Sequence, residues 1–199
     1  MMMNDKGKAY ANKKPLKDRP IGDFYRTPQS LVWELIDLGV MDKKFTVYCP
    51  AAGDGRIVKA LRSNGFNVVD SDIVTTHKDF LEYEGGHYHT ICENPPWSLW
   101  DKFVMKAKEV ADHVFFIGKV NFFGAYKRHQ LGVWRNLKQV YIFNRQVDYR
   151  SPYNKDGYFC VGNIVSAWFE WDIKWNRDWW KTSVINVNDY AKLGQFKEK

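Results

Sequence analysis

The chain has little of what would place it among disulfide-stapled, metal-holding or membrane-spanning proteins. Its three cysteines, Cys49, Cys92 and Cys160, lie far apart and form no Cys-x-x-Cys pair. Cys49 and Cys92 sit in apolar, strand-like surroundings, which suits buried free thiols and argues against disulfides or zinc ligands. The five histidines (His77, His87, His89, His113 and His129) are scattered. His87 and His89 would share one face of a strand, but the sequence offers no third ligand beside them, so structural roles and no metal are expected. No apolar run approaches the length of a bilayer span, and residues 1–11 lack the apolar core of a signal peptide. The expectation is a cytoplasmic protein without membrane contact. An internal repeat is also lacking, which sets repeat architectures aside.

Positive charge and aromatic rings are what the chain has in plenty. The formal net charge is +7 and the isoelectric point is near 9.2, a balance that favours a polyanionic partner. At 199 residues one domain with a full core is expected. A basic, apolar-poor arm covers residues 1–19, expected to be disordered, and the domain occupies residues 20–199. A second basic stretch, residues 119–155, interleaves Lys119, Lys127, Arg128, Arg135, Lys138, Arg145 and Arg150 with Phe122, Phe123, Tyr126, Tyr149 and Tyr153. Cations neutralise phosphate and rings stack on exposed bases, so this mixture suits nucleic acid. The irregular segment 144–157, too polar for a core, is its best candidate. Five of the nine tryptophans fall late in the chain, at Trp168, Trp171, Trp175, Trp179 and Trp180; packing at the core or its edge is expected for them.

Helix and strand signals alternate. Thr27 reads as the cap of a helix that begins at Pro28 and ends near Gly39. A second helix follows a glycine turn and stops at Asn64-Gly65. A third is expected over residues 99–111 with Ser98 as cap, and a fourth over 125–137 with Leu131, Trp134 and Leu137 on its apolar face. Strands are expected at 45–49, 67–70, 87–92, 113–117, 138–143 and 158–170. This order implies an α/β fold: a mostly parallel sheet with helices on both faces, an antiparallel C-terminal strand, and the ligand at the carboxyl ends of the strands.

Three segments at those strand ends carry the chemistry. Strand 45–49 runs into Pro50-Ala51-Ala52-Gly53-Asp54-Gly55 and then a helix, a small-residue turn that lets a ligand approach the backbone. Strand 67–70 ends near Asp72, an acid placed to hold ribose hydroxyls. Strand 87–92 runs into Asn94-Pro95-Pro96-Trp97. The prolines stop the strand in a rigid turn, leaving carbonyls, an amide and a ring. A planar group bearing an –NH2 suits such a site.

Taken in order, Thr27-Pro28, Cys49-Pro50-Ala51-Ala52-Gly53-Asp54-Gly55, Asp72, Asp79-Phe80-Leu81 and Asn94-Pro95-Pro96-Trp97 resemble the S-adenosylmethionine-dependent amino-methyltransferases. The small, often phage-borne DNA adenine-N6 methyltransferases are the most similar group. The resemblance spans residues 23–111 and implies a Rossmann-like class I methyltransferase sheet, S-adenosyl-L-methionine as cofactor and double-stranded DNA as partner. For a phage-borne protein the compartment would be the host cytoplasm. By position, Pro50, Ala51, Gly53, Asp54 and Gly55 would cradle the methionine part, Asp72 the ribose and Asp79 the adenine of the cofactor. Tyr25 and Thr27 would close over its amino-acid end. Asn94, Pro95, Pro96 and Trp97 would hold the target amine, with Asn94 also bordering the cofactor. Trp97, Lys119, Arg145 and Arg150 are the candidates for substrate contact, within a compact recognition region around residues 119–157. One departure stands out: Cys49 occupies the place of an acid that in the family helps fix the cofactor's ammonium. Asp54 and Asp23 are the candidates to compensate.

The implied reaction is methyl transfer to the exocyclic N6 amine of adenine. Asn94 Oδ1 and the Pro95 carbonyl would accept the amine hydrogens, and Trp97 would stack on a base flipped out of the duplex. Neither a metal nor a general base of shifted pKa is required, and the sequence shows no obvious one. The same motif serves adenine in RNA and glutamine amides in proteins, and the Cys49 departure also fits a catalytically impaired nucleic-acid binder.

Overall fold

Apolar runs of strand length alternate with amphipathic helical ones along this chain, and the computed structural model folds them into a single sheet; it describes residues 26–149, 160 and 162–187. Helix α1 (Gln29–Asp37) buries Leu31, Val32 and Leu35, and its cap position is Pro28, without a side-chain cap bond. Thr27 is therefore not the cap; its hydroxyl serves elsewhere. Strand β1 (Val47–Cys49) leads through the glycine turn into helix α2 (Arg56–Ser63), whose buried stripe is Ile57, Val58, Ala60 and Leu61. Gly53 and Gly55 adopt φ of 54° and 76°, a left-handed backbone that side chains disfavour. Strand β2 (Val68–Asp70), a 3-10 turn (Phe80–Glu82) and strand β3 (Tyr88–Glu93) follow. Helix α3 (Trp100–Val110) is capped at Leu99 rather than Ser98 and runs directly into β4 (Ala111–Lys119).

The second half departs from the sequence reading in three places. The helix expected over 125–137 is only α4 (Tyr126–Gln130). Gly132 and Asn136 take positive φ of 70° and 66°, which ends the helix and turns the chain into β5 (Leu137–Phe143). Leu131, expected on the apolar face, is exposed while Val133 is fully buried. The long strand expected at 158–170 is β6 (Ser166–Asp172); ahead of it Ile164 makes only an isolated bridge to Val147. An unexpected strand, β7 (Lys181–Ile185), lies beyond.

The strand order is β2-β1-β3-β4-β6-β5-β7. All neighbours pair in parallel except β6, which is antiparallel to both β4 and β5. Along β6 the side chains alternate between the two faces. The Trp168 indole donates to the Leu31 carbonyl of α1 at 2.7 Å. Phe169 and Trp171 pack on Trp100 of α3, with ring centroids 5.4 and 5.6 Å away. Helices α1 and α3 therefore cover opposite faces. Gly118 on β4 admits the Trp100 ring, because a Cβ there would lie 2.9 Å from Trp100 Cζ2. The buried indoles are satisfied: Trp100 donates to the Ile117 carbonyl and Trp171 to the Val133 carbonyl. Of the late tryptophans, Trp168 and Trp171 are core, whereas Trp179 and Trp180 are exposed. Among the described residues no helix is long and apolar enough to cross a membrane.

Candidate functional site

Because β1, β2, β3 and β4 are parallel, their carboxyl ends share one edge of the sheet, and the order reverses around β1, with β2 on one side and β3 on the other. A crevice forms at such a reversal. Here it is a cavity of about 770 Å³ lined by the turn after β1, the loop after β2 and the turn after β3. Thr27, Pro50, Ala51, Gly53, Asp54, Asp72, Asp79, Asn94 and Pro96 all line it, so residues distant in sequence meet as the strand ends require. Gly55, the cap of α2, and the buried Pro95 are not part of that lining. Tyr25 lies outside the described residues.

The side chains tie the three turns together. Asp72, 8 % exposed, accepts the Gly53 N–H at 3.0 Å and the Val74 and Thr75 N–H groups at 2.8 and 3.3 Å. Its carboxylate therefore fixes the loop after β2 against the glycine turn. Two oxygens offer about four acceptor sites, so a hydroxyl can still join. Asp79 accepts the Leu81 N–H at 2.9 Å and so caps the 3-10 turn that buries Phe80. Asp54 is paired with Arg56 at 2.7 Å.

Asn94 is held from two sides. Its Nδ2 donates to Thr27 Oγ1 at 3.0 Å, and its Oδ1 accepts the Trp97 indole N–H at 3.2 Å. Trp97 itself departs from expectation. It does not line the cavity and is only 7 % exposed. Lys119 Nζ lies 4.6 Å above its ring, and Tyr149 meets it edge-on at 5.1 Å. The ring expected as an open stacking platform is packed, and it acts on Asn94 through its N–H.

Glu93 is the residue that the sequence reading missed. It ends β3, is 2 % exposed and lines the cavity. Its Oε1 accepts the Asn94 N–H at 2.9 Å and its Oε2 the Ala51 N–H at 3.4 Å. Burial, helped by the charges of Asp72 and Asp54, pushes its carboxyl up to about 8 despite those two amides. A titratable group of shifted pKa therefore does stand in the cavity. The visible signal was an acid closing an otherwise apolar strand. Other wall residues also went unread, among them Ile73, Val74, Lys78, Leu99 and Phe103. Cys49 and Cys92 are fully buried, and burial pushes both thiols well up, leaving them neutral.

The basic stretch serves structure more than expected. Arg128 pairs with Asp101 and stacks on Phe122, and Lys138 pairs with Glu170 and Asp172. In the segment expected to be too polar for core, Val147 and Tyr149 are buried, with the Tyr149 hydroxyl 2.7 Å from Ser166 Oγ. Arg145 is half-buried; Arg150 and residues 151–157 lie outside the described residues. Of the histidines, His87 pairs with Asp112 at 3.1 Å and His89 stacks on Phe45.

A parallel sheet with one antiparallel strand inserted before its far edge, helices on both faces and a glycine-turn cavity at the reversal point defines a Rossmann-like class I methyltransferase fold. Solved structures share it. A "putative RNA methyltransferase" from Pyrococcus horikoshii aligns with a TM-score of 0.58 and 16% identity, over 80% of this chain and 90% of its own. A modification subunit of a "putative type I restriction enzyme" from Vibrio vulnificus aligns with a TM-score of 0.59 and 12% identity over 80% of this chain. This chain spans 47% of that subunit. A "putative hemolysin" from Lactococcus lactis aligns with a TM-score of 0.51 and 13% identity, over 84% of this chain and 96% of its own. No family model matches the sequence, and no curated protein does.

Proposed function

We propose that this chain is an S-adenosyl-L-methionine-dependent N-methyltransferase whose substrate is the exocyclic N6 amine of adenine in DNA. The observation that carries the reading is the Asn94 amide. Thr27 and Trp97 hold it at the carboxyl end of β3, beside a cavity large enough for a nucleoside cofactor. The residues present fit that cofactor. The left-handed Gly53 in the lining gives a close backbone approach, Gly55 turns the chain into α2, Asp72 supplies acceptors for ribose hydroxyls, and Ile73, Val74 and Phe80 offer apolar walls for a purine. The bound cofactor supplies an electrophilic methyl group on a sulfonium.

The protein's part is alignment and dipoles. An adenine amine is a weak nucleophile because its lone pair is delocalised into the ring. Asn94 Oδ1 accepts one of its hydrogens and the Pro95 carbonyl the other, so the nitrogen pyramidalises and its developing positive charge meets fixed acceptors. Held in line, the nitrogen would bond to the methyl carbon as the carbon–sulfur bond breaks, and the surplus N–H proton would pass to solvent; this alignment accounts for much of the remaining acceleration. The base leaves its stack to reach the pocket, and Trp97 serves by orienting Asn94.

The test is labelled methyl transfer to DNA, RNA and protein extract, with wild type and Asn94→Ala. Transfer to adenine N6 in DNA is expected, with a loss of about 10²–10³-fold or more in the variant and cofactor binding retained. Comparable turnover in Asn94→Ala refutes the mechanism, and transfer to RNA alone or to glutamine replaces the substrate. The net charge of +7 favours a nucleic acid over a protein amide.

A further inference from the structure

We infer that Glu93 is the counter-ion for the ammonium group of the bound cofactor's amino-acid end, a role the residue before the glycine turn, Cys49, has no charge to perform. The inference rests on the cofactor reading above. S-Adenosylmethionine carries two positive groups, a sulfonium and an ammonium, and a protein that buries its amino-acid end needs an anion there. Cys49 does not line the cavity and is fully buried with a neutral thiol. Asp54 is already engaged by Arg56 at 2.7 Å, with Arg26 4.0 Å away. Asp72 holds three backbone N–H groups, and its remaining acceptor sites are assigned to the ribose hydroxyls. Glu93 is left.

Its placement follows from strand register. Val47 and Tyr48 of β1 pair with Thr90 and Ile91 of β3; continued by two residues, that register sets Glu93 beside Pro50, directly after Cys49. The side chain crosses to the Ala51 N–H and reaches the cavity at the glycine turn. An acid is thus supplied from the neighbouring strand at the level where β1 lacks one. The groups facing it are Asp54 and Asp72 from the two adjoining turns and the thiols of Cys49 and Cys92. Burial and the two aspartates disfavour its charge, with Asp54 partly neutralised by Arg56, while the thiols stay neutral. With its carboxyl at about 8, Glu93 holds a proton at neutral pH until a cation arrives. Binding of the ammonium then expels that proton, and a carboxylate–ammonium pair forms.

The experiment is calorimetric binding of S-adenosylhomocysteine, S-adenosylmethionine and methylthioadenosine to the full chain. It is run from pH 6 to 8 in buffers of different ionisation enthalpy, with wild type and Glu93→Gln. Homocysteine and methionine forms both carry the ammonium, and methylthioadenosine carries neither cation. The expected result for wild type is release of close to one proton with the first two. Their affinity rises by about tenfold per pH unit towards 8, and methylthioadenosine shows neither effect. Glu93→Gln loses the proton release and the pH slope and binds methylthioadenosine as wild type does. Binding of S-adenosylhomocysteine to wild type without proton release overturns the inference, and that arm needs no variant to fold. A slope for S-adenosylmethionine alone also overturns it, assigning Glu93 to the sulfonium. If none of the three binds, the cofactor reading itself falls.

Discussion

Replacing Glu93 by glutamine tests the burial of that carboxyl in the protein alone, without any ligand. In the folded chain the group holds its proton up to about pH 8, against an ordinary value of 4.5. A raised carboxyl means that the folded state binds more protons than the unfolded state between those two values. The contribution of this group to stability must therefore fall as pH rises through the window, by up to about 1.4 kcal/mol per pH unit. Glutamine has the same shape and no charge, so it removes the slope. It has a cost, because its –NH2 must face one of the two backbone donors that Glu93 now accepts. The longer contact, Ala51 N–H at 3.4 Å, is the one surrendered, at about 1 kcal/mol. The variant should be the less stable protein at pH 5. The two stabilities should cross roughly between pH 5 and 6, and by pH 8 the variant should lead by on the order of 3 kcal/mol. Urea unfolding at each pH from 5 to 9, read as the difference between the two proteins, isolates Glu93 from every other titrating group. A difference that stays flat across that range would falsify the assignment of a buried, proton-bearing Glu93.

Three further outcomes are expected. Gly118→Ala should destabilise by about 1–3 kcal/mol in chemical denaturation, because the new Cβ would meet Trp100 and Phe169 at 2.9 and 3.0 Å; a neutral result would mean that α3 can shift off the sheet. Lys138→Met removes the cation shared by Glu170 and Asp172 and leaves Glu170, 3 % exposed, with an uncompensated charge. A loss of about 3 kcal/mol at pH 7 is expected, largely recovered by adding Glu170→Gln, and an unchanged midpoint for the single variant would show that the pair adds nothing. Thr27→Val keeps the shape but takes away the acceptor for Asn94 Nδ2. Methyl transfer should fall about tenfold while cofactor affinity stays within about twofold, and unchanged turnover would remove Thr27 from the orientation of Asn94.

The half of the fold that builds the cavity was legible because its signals are local. Glycine turns, a proline stop and short β-branched runs fix where β1, β2 and β3 end, and parallel pairing then brings those ends together. The second half was misread where a single residue overrides a pattern. Gly132 and Asn136, both at positive φ, break a helical periodicity that Trp134 and Leu137 continue in sequence. Strand β7 buries only Ile185, so Lys181-Thr182-Ser183 carries no apolar alternation, as suits an edge strand. Within the site, the residue types at the turns were readable, but their partners were not. Thr27 looks like a helix cap and instead holds Asn94; Trp97 looks like an exposed ring and is packed under Lys119. Both depend on elements far apart in sequence.

Those partners give Asn94 a definite orientation, and the orientation is what an amine-accepting site needs. An indole N–H can only donate, so the amide atom facing Trp97 must be the oxygen, which leaves Nδ2 for the Thr27 hydroxyl. Turning the amide over would set two donors against each other, at a cost of about 1–3 kcal/mol for the pair left unmade. The oxygen thus fixed has two lone pairs and gives one to Trp97. In the proposed methyl transfer the second would take an amine hydrogen without any rearrangement of the protein, and the positive charge growing on the amine would meet a dipole already in place. Tryptophan at position 97 is in this view a donor that selects the face of Asn94 shown to the substrate. Phenylalanine would keep the packing against Tyr149 and lose that selection.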